Sequence, residues 1–300
     1  MPRDDFFRVL DSIAQRTDPH QVFVIITGGE PLLRPDIIEC GRGIYERGFP
    51  WGMVSNGQLL TPELLYRLRH EAGLHTLTVS LDGLEADHNW LRRHKDSFNC
   101  VSRAIDALVA MPEVKSDVVT CVHQRNYPTL PQIRDYLIAK GMKAWRLYSI
   151  FPVGRAATDP QLQLSNEQFR GMLDFIRQTR KEGLIDAAYG CEGFLGNYEG
   201  DVRDHFFHCQ AGITVGSVMA DGAIAACASI RSDFNQGNIY EDDFMDVWEQ
   251  RYQPHRNREW MRTGECSDCR YWRYCEGNAL HLRDQQGNLL LCHIKRITTP

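Results

Sequence analysis

What this 300-residue chain lacks narrows its class before any motif is read. No apolar run approaches the eighteen or more residues that a membrane span needs, and stretches such as Val22 to Ile26 are far shorter. No basic start followed by an apolar segment resembles a secretory signal, so a cytoplasmic protein with no membrane partner is expected. Basic residues are not in excess: 34 lysines and arginines face 39 aspartates and glutamates, a net charge of −5. That balance gives no electrostatic reason to bind nucleic acid or acidic lipid. The eleven histidines form no ligand spacing such as H-E-x-x-H, and no internal repeat or low-complexity tract is present. Apolar residues, at 43%, are plentiful enough for a sizeable core.

Cysteine is the residue in surplus. Of ten, seven (Cys191, Cys209, Cys227, Cys266, Cys269, Cys275 and Cys292) fall in the last 110 positions. Without a signal peptide a disulfide framework explains them poorly, and thiolate-bound metal explains them better. Cys266-Ser-Asp-Cys269 is a CxxC pair, followed by Cys275 and then Cys292. Two thiolates two residues apart can turn onto one centre, and two more complete four ligands for zinc or an iron–sulfur cluster. Spacing alone does not choose between them. Upstream, Val215–Met219 and Ala223–Ala226 read as hairpin strands turning at Asp221-Gly222, which would bring Cys209 and Cys227 together. Cys40, Cys100 and Cys121 lie within predicted helices or a strand and read as small buried hydrophobes.

The first half repeats one theme. The apolar runs Val22–Thr27, Trp51–Ser55, Leu77–Leu81, Val118–His123 and Lys143–Ile150 alternate with helical segments at Pro35–Gly48, Thr61–Ala72, Asn99–Ala110 and Leu130–Lys140. A further helix, Asp4 to Ala14, precedes the first run. Strand–helix alternation, with strands apolar on both faces, predicts a parallel sheet covered by helices, either open and doubly wound or barrel-like. Ligands then gather at the carboxyl ends of the strands. Those ends carry Gly28-Gly29-Glu30-Pro31, Ser55-Asn56-Gly57, Ser80-Leu81-Asp82-Gly83 and Asn126. Beyond a helix at Asn166–Lys181, near residue 186, glycine, aromatics and cysteine rise and a boundary is expected.

The pattern C-x12-G-x4-C, gap, C-x2-C-x5-C, gap, C resembles the SPASM domain, the auxiliary-cluster extension of radical SAM peptide-modifying enzymes. The first half is similar to the radical SAM core, on Gly-Gly-Glu-Pro, Ser-Asn-Gly and Ser-Leu-Asp-Gly in the expected order. The resemblance implies an α/β fold: a (β/α)6 partial TIM barrel lacking its first strand, then a small α+β cysteine-rich domain. Residues 1–160 would be the truncated core, 161–186 a linker helix and 187–300 the SPASM domain.

The resemblance also implies cofactors. S-adenosylmethionine would sit against Gly28, Gly29, Glu30, Pro31, Asn56, Ser80, Asp82 and Arg92, with Glu30 on its amino group and Arg92 on its carboxylate. One or two auxiliary 4Fe-4S clusters would be held, one by Cys266, Cys269, Cys275 and Cys292, the other by Cys209, Cys227 and Cys191. The family's further cysteine for that second site is replaced by Ala279, which leaves an open iron, another ligand such as His281, or no cluster. The family's C-x3-C-x2-C motif, which holds the reactive cluster, is absent from these 300 residues. The expectation is a shortened N-terminus, with evolutionary loss as the alternative. In complete form the protein would cleave S-adenosylmethionine reductively and modify a peptide or protein side chain, with a peptide substrate encoded nearby and a flavodoxin or ferredoxin as electron donor. The alternatives are a non-catalytic relative that binds a peptide or partner, and a zinc-bearing α/β protein without iron.

Overall fold

The computed structural model describes residues 1–300 apart from 191–192, 231–233, 285 and 299–300. They form two compact units. The sheet unit comprises Pro19–Gly190 and Gly200–Asp204; the cysteine-rich unit comprises Met1–Asp18, Cys191–Glu199 and His205–Thr298.

Six parallel strands run through the sheet unit: β1 (Val24–Ile26), β2 (Trp51–Ser55), β3 (Leu74–Ser80), β4 (Lys115–Val122), β5 (Ala144–Ser149) and β6 (Asp186–Tyr189). They lie side by side in chain order. Each crossover therefore steps one place in the same direction, and the order never reverses. This is barrel-type winding, and it settles the choice against a doubly wound sheet. The helices are α2 (Ile37–Glu46), α3 (Pro62–His70), α4 (Glu85–Arg92), α5 (Ser97–Val109), α6 (Leu130–Lys140) and α7 (Asn166–Glu182). Strand β6 was not legible in the sequence: Asp186-Ala-Ala-Tyr189 has neither length nor β-branched residues, and it forms because β5 offers it a partner along Ala144–Leu147.

Local chemistry explains the starts and stops. Thr61 accepts the Leu64 N–H and Pro62 opens α3; a capping box of Ser165 and Gln168 opens α7. Gly141 and Gly183 end α6 and α7 in the left-handed region. Close packing sets one glycine. An added Cβ on Gly41 in α2 would lie 2.2 Å from the Trp51 ring, whose indole is fully buried and donates to the Ala72 carbonyl at 2.7 Å.

The expectation of strands apolar on both faces needs correction. Leu77, Val79, Val118, Trp145 and Leu147 are buried. The alternate residues carry a polar network instead: Thr78 donates to Asp117, and Arg146 binds Asp117, Thr78 and Tyr148. Thr78 and Asp117 are register partners on β3 and β4, so period-two alternation puts them on one face.

In the cysteine-rich unit, β7 (Ser217–Val218), β8 (Ala223–Ala225) and β9 (Gly237–Asn238) make an antiparallel sheet, with Gly222 at φ +87° in the expected hairpin turn. Short helices α8 (Phe244–Gln250), α9 (Gln253–Arg256), α10 (Trp272–Cys275) and α11 (His293–Thr298) complete it. Helix α1 (Arg3–Arg16), which the sequence reading put in the 1–160 core, has its contacts here. Ser12 donates to Asp243, Arg16 pairs with Asp246 and Glu249 on α8, and Val9 and Ile13 enter the same apolar core as Ile224, Val247 and Met261. Helix α7, expected as a linker, packs on β6 in the sheet unit.

Candidate functional site

At the carboxyl end of β1 the chain turns through Gly28 and Gly29. Gly28 sits at φ +123°, a conformation side chains rarely adopt, and a Cβ on either glycine would meet nothing within 4 Å. Packing therefore does not require these glycines; they leave open space against bare backbone, which suits close approach of a ligand. Glu30 follows. Its Oε1 accepts the Leu32 N–H at 3.0 Å and the Ser55 hydroxyl at 2.8 Å, and its Oε2 accepts the Asn56 N–H at 2.7 Å. The carboxylate thus caps the short turn at buried Pro31 and fastens the β1 loop to the β2 loop. Of its roughly four acceptor positions, one remains on Oε2. Asn56 spends its amide oxygen on the Gln58 N–H at 2.8 Å, which leaves its NH2 group as the donor available for binding.

The loop after β3 holds a buried ion pair. Asp82 is fully buried; its Oδ2 accepts Arg92 Nε at 2.7 Å and lies 2.6 Å from Nη2, while Oδ1 accepts the Cys121 N–H at 2.9 Å. Arg92, on the last turn of α4, keeps part of its guanidinium exposed. The sequence reading placed Asp82 on the rim beside the cofactor; the structure sets its carboxylate beneath the rim, aiming Arg92. Ser80 is buried at the end of β3. His88 locks this loop: Nδ1 accepts the Asp82 N–H at 3.0 Å, so Nε2 carries the proton and donates to Ser97 Oγ at 3.0 Å. Burial, only partly offset by Asp82, pushes the His88 pKa down to about 4, so the ring is neutral. Asn126, also fully buried, donates to the carbonyls of Asp82 and Cys121 and ties the loops after β3 and β4.

The second site lies in the cysteine-rich unit. Cys266, Cys269, Cys275 and Cys292 line one cavity of about 70 Å3, walled by Trp272, Leu289 and Ile294 among others. The 3-10 turn Gly264–Cys266 presents the first thiol, α10 ends on Cys275, and Cys292 immediately precedes α11. Burial pushes the Cys275 thiol up to about 12, and the charges of Cys292, Cys266 and Cys269 push the same way; Cys292 is raised by burial and by Cys266 and Cys269. Each group feels the others because they share one space. Backbone N–H groups of Asn278, Ile294 and Lys295 point at these sulfurs and favour their thiolate forms.

Among the described residues, no three Cys, His, Asp or Glu groups are gathered tightly enough to hold a single metal ion. Four thiols lining one cavity are a donor set for zinc or for an iron–sulfur cluster. Cys209 and Cys227 pack against the same apolar core, and burial together with the Cys209 charge raises Cys227. Cys191 lies outside the described residues, and Ala279 is buried.

Sequence reasoning missed Arg283. It is 1% exposed; its Nη2 reaches Cys266 Sγ at 3.5 Å and also meets the carbonyls of Gly277 and Met261, while Nε and Nη1 donate to those of Gly277 and Gly287. Its signal was faint: a lone arginine closing the short segment Ala279–Leu282.

The singly wound parallel sheet has a bare-backbone cradle on its carboxyl rim, and the cysteine-rich unit has a four-thiol cavity suited to a metal centre. The family comparisons agree. Residues 1–137 match the Radical SAM superfamily, and residues 209–270 match SPASM, an iron–sulfur cluster-binding domain. The chain therefore carries a radical SAM domain followed by a SPASM domain. Both families bind 4Fe-4S clusters.

Similar sequences include an AdoMet-dependent heme synthase of Methanosarcina barkeri, 27% identical over 91% of this chain and 81% of that protein. Another is mycofactocin maturase MftC of Mycolicibacterium smegmatis, 26% identical over 93% and 71%. Among solved structures, anSMEcpe with bound AdoMet aligns with a TM-score of 0.74 at 17% identity, covering 99% of this chain and 81% of that one. Streptococcus suis SuiB bound to S-adenosylmethionine aligns at 0.70 and 18%, covering 94% of this chain and 66% of that one. These structural likenesses establish a shared fold. Among the described residues no helix is long and apolar enough to cross a membrane.

Proposed function

We propose that this chain binds S-adenosylmethionine on the rim of its sheet and one 4Fe-4S cluster in the four-thiol cavity, as parts of a radical enzyme that modifies a peptide or protein side chain. The observation that carries this is that Cys266, Cys269, Cys275 and Cys292 line one cavity. Maturase relatives, and the structure of SuiB bound to the precursor peptide SuiA, support a peptide substrate. A heme-related substrate is the second reading, favoured by the heme synthases among the similar sequences.

In this proposal Gly28 and Gly29 admit the cofactor against the backbone, and the free acceptor position of Glu30 takes its ammonium. Arg92, steered by Asp82, takes its carboxylate in a charge-assisted pair. S-adenosylmethionine supplies the radical-forming sulfonium when a reducing cluster faces it. This chain contains no C-x3-C-x2-C set for that cluster, so its own residues account for binding and orientation and not for reductive cleavage. The role of the SPASM cluster is to accept or relay an electron, or to anchor substrate, in surroundings that exclude water.

The test is anaerobic reconstitution followed by iron and sulfide analysis of the wild-type chain and Cys292→Ala. Iron and sulfide bound by the first and sharply reduced in the second supports the reading; zinc without sulfide refutes it. Dithionite and S-adenosylmethionine should give no 5′-deoxyadenosine from this chain alone.

A further inference from the structure

Arg283 is a buried cation: it is 1% exposed, and among the described residues no carboxylate pairs with it. Its partners are the carbonyls of Gly277 (2.9 Å from Nη2, 3.2 Å from Nε), Gly287 (2.6 Å from Nη1) and Met261 (3.5 Å), and the sulfur of Cys266 (3.5 Å). Space is reserved for it: a Cβ on Gly277 would stand 2.8 Å from Nη2. Removing a guanidinium from water costs several kcal/mol unless an opposite charge or good hydrogen bonds compensate. Carbonyl dipoles supply part of that compensation. The cavity that Cys266 lines is the place where a full countercharge can stand next to it.

We infer that Arg283 is a positioning residue for the proposed auxiliary cluster, pairing its positive charge with the cluster's negative charge through Cys266 and raising its reduction potential. A cluster held by four thiolates is anionic, and reduction adds another negative charge beside the guanidinium. Net charge and hydrogen bonds to sulfur are two of the determinants of such potentials. Both act in the same direction here, since the N–H of Arg283 faces sulfur and its cation stabilises the reduced form more than the oxidised one. The same fork holds the turns at Met261, Gly277 and Gly287, so geometry and charge are delivered by one side chain. Lysine keeps the charge but not the planar fork.

This inference rests on the proposed function, and its test separates the two. Wild-type protein labelled with 15N-arginine is reconstituted anaerobically and reduced, and electron–nuclear double resonance is recorded on the cluster signal. A 15N coupling that disappears in Arg283→Lys supports the assignment; a reduced cluster with no arginine 15N coupling overturns it. Redox titration followed by electron paramagnetic resonance is the second readout. In Arg283→Gln the ratio of reduced to oxidised cluster at fixed potential should fall tenfold or more, about 59 mV for one electron. Arg283→Lys should lie closer to wild type. An intact cluster in Arg283→Gln with unchanged potential overturns the inference. If Arg283→Gln takes up no cluster, the wild-type 15N measurement decides alone. A wild-type preparation with no iron and sulfide at the four cysteines overturns the reading beneath it, and this inference with it.

Discussion

Acid should loosen the sheet unit through one histidine. His88 is fully buried under the rim, and its burial brings the pKa from the ordinary 6.5 down to about 4. The native state therefore binds fewer protons than the unfolded chain between those values. Stability is complete above about pH 6.5 and is lost as the pH falls toward 4. At about 1.36 kcal/mol per pH unit, the whole shift is worth about 3 kcal/mol, of which about 2 is gone at pH 5. The structural reason is specific. Protonation places a hydrogen on Nδ1, the atom that accepts the Asp82 N–H, so two donors face each other inside the loop that aims Arg92. The measurement is urea unfolding at pH 7.5 and pH 5.0, followed by tryptophan fluorescence, for wild type and His88→Asn. The variant is less stable at neutral pH because it gives up the Ser97 contact, but its loss between the two pH values should be smaller by about 2 kcal/mol. Equal losses in the two proteins, within about 0.5 kcal/mol, would refute the argument.

Two further substitutions test packing and cradle separately. Gly41→Ala should destabilise despite a helix-propensity gain of about 1 kcal/mol, because the new methyl lies 2.2 Å from the buried Trp51 ring and overpacking costs about 1–3 kcal/mol; a raised unfolding midpoint would show that the α2–β2 contact yields easily. Gly29→Ala meets no neighbouring atom, so thermal stability should stay within about 0.5 kcal/mol. Its methyl nevertheless enters the proposed ligand space, and calorimetric titration should show at least tenfold weaker S-adenosylmethionine binding. An unchanged affinity would place the cofactor elsewhere.

Much of the candidate site was legible because its signals are local. Glycine at a strand end, a capped Thr61-Pro62 start and the Asp221-Gly222 turn depend on a few neighbouring residues, and each stands where local chemistry puts it. Asp82 shows where that reading stops. Its position after β3 was evident, but whether its carboxylate points at a ligand or at Arg92 depends on residues ten and thirty-nine positions away, Arg92 and Cys121. Glu30 is similar, since its ties to Ser55 and Asn56 exist only once β1 and β2 lie side by side.

The amino-acid sequence by itself determined the strand–helix alternation, the rim of small and polar residues, and the four cysteines that could share a centre. These follow from periodicity and from the reach of short segments. Only the tertiary structure decided that the strands lie in unbroken chain order, that α1 packs against α8, and that Arg283 touches the sulfur of Cys266. Those facts belong to contacts between distant parts of the chain, where burial and charge choose among partners that no local pattern distinguishes.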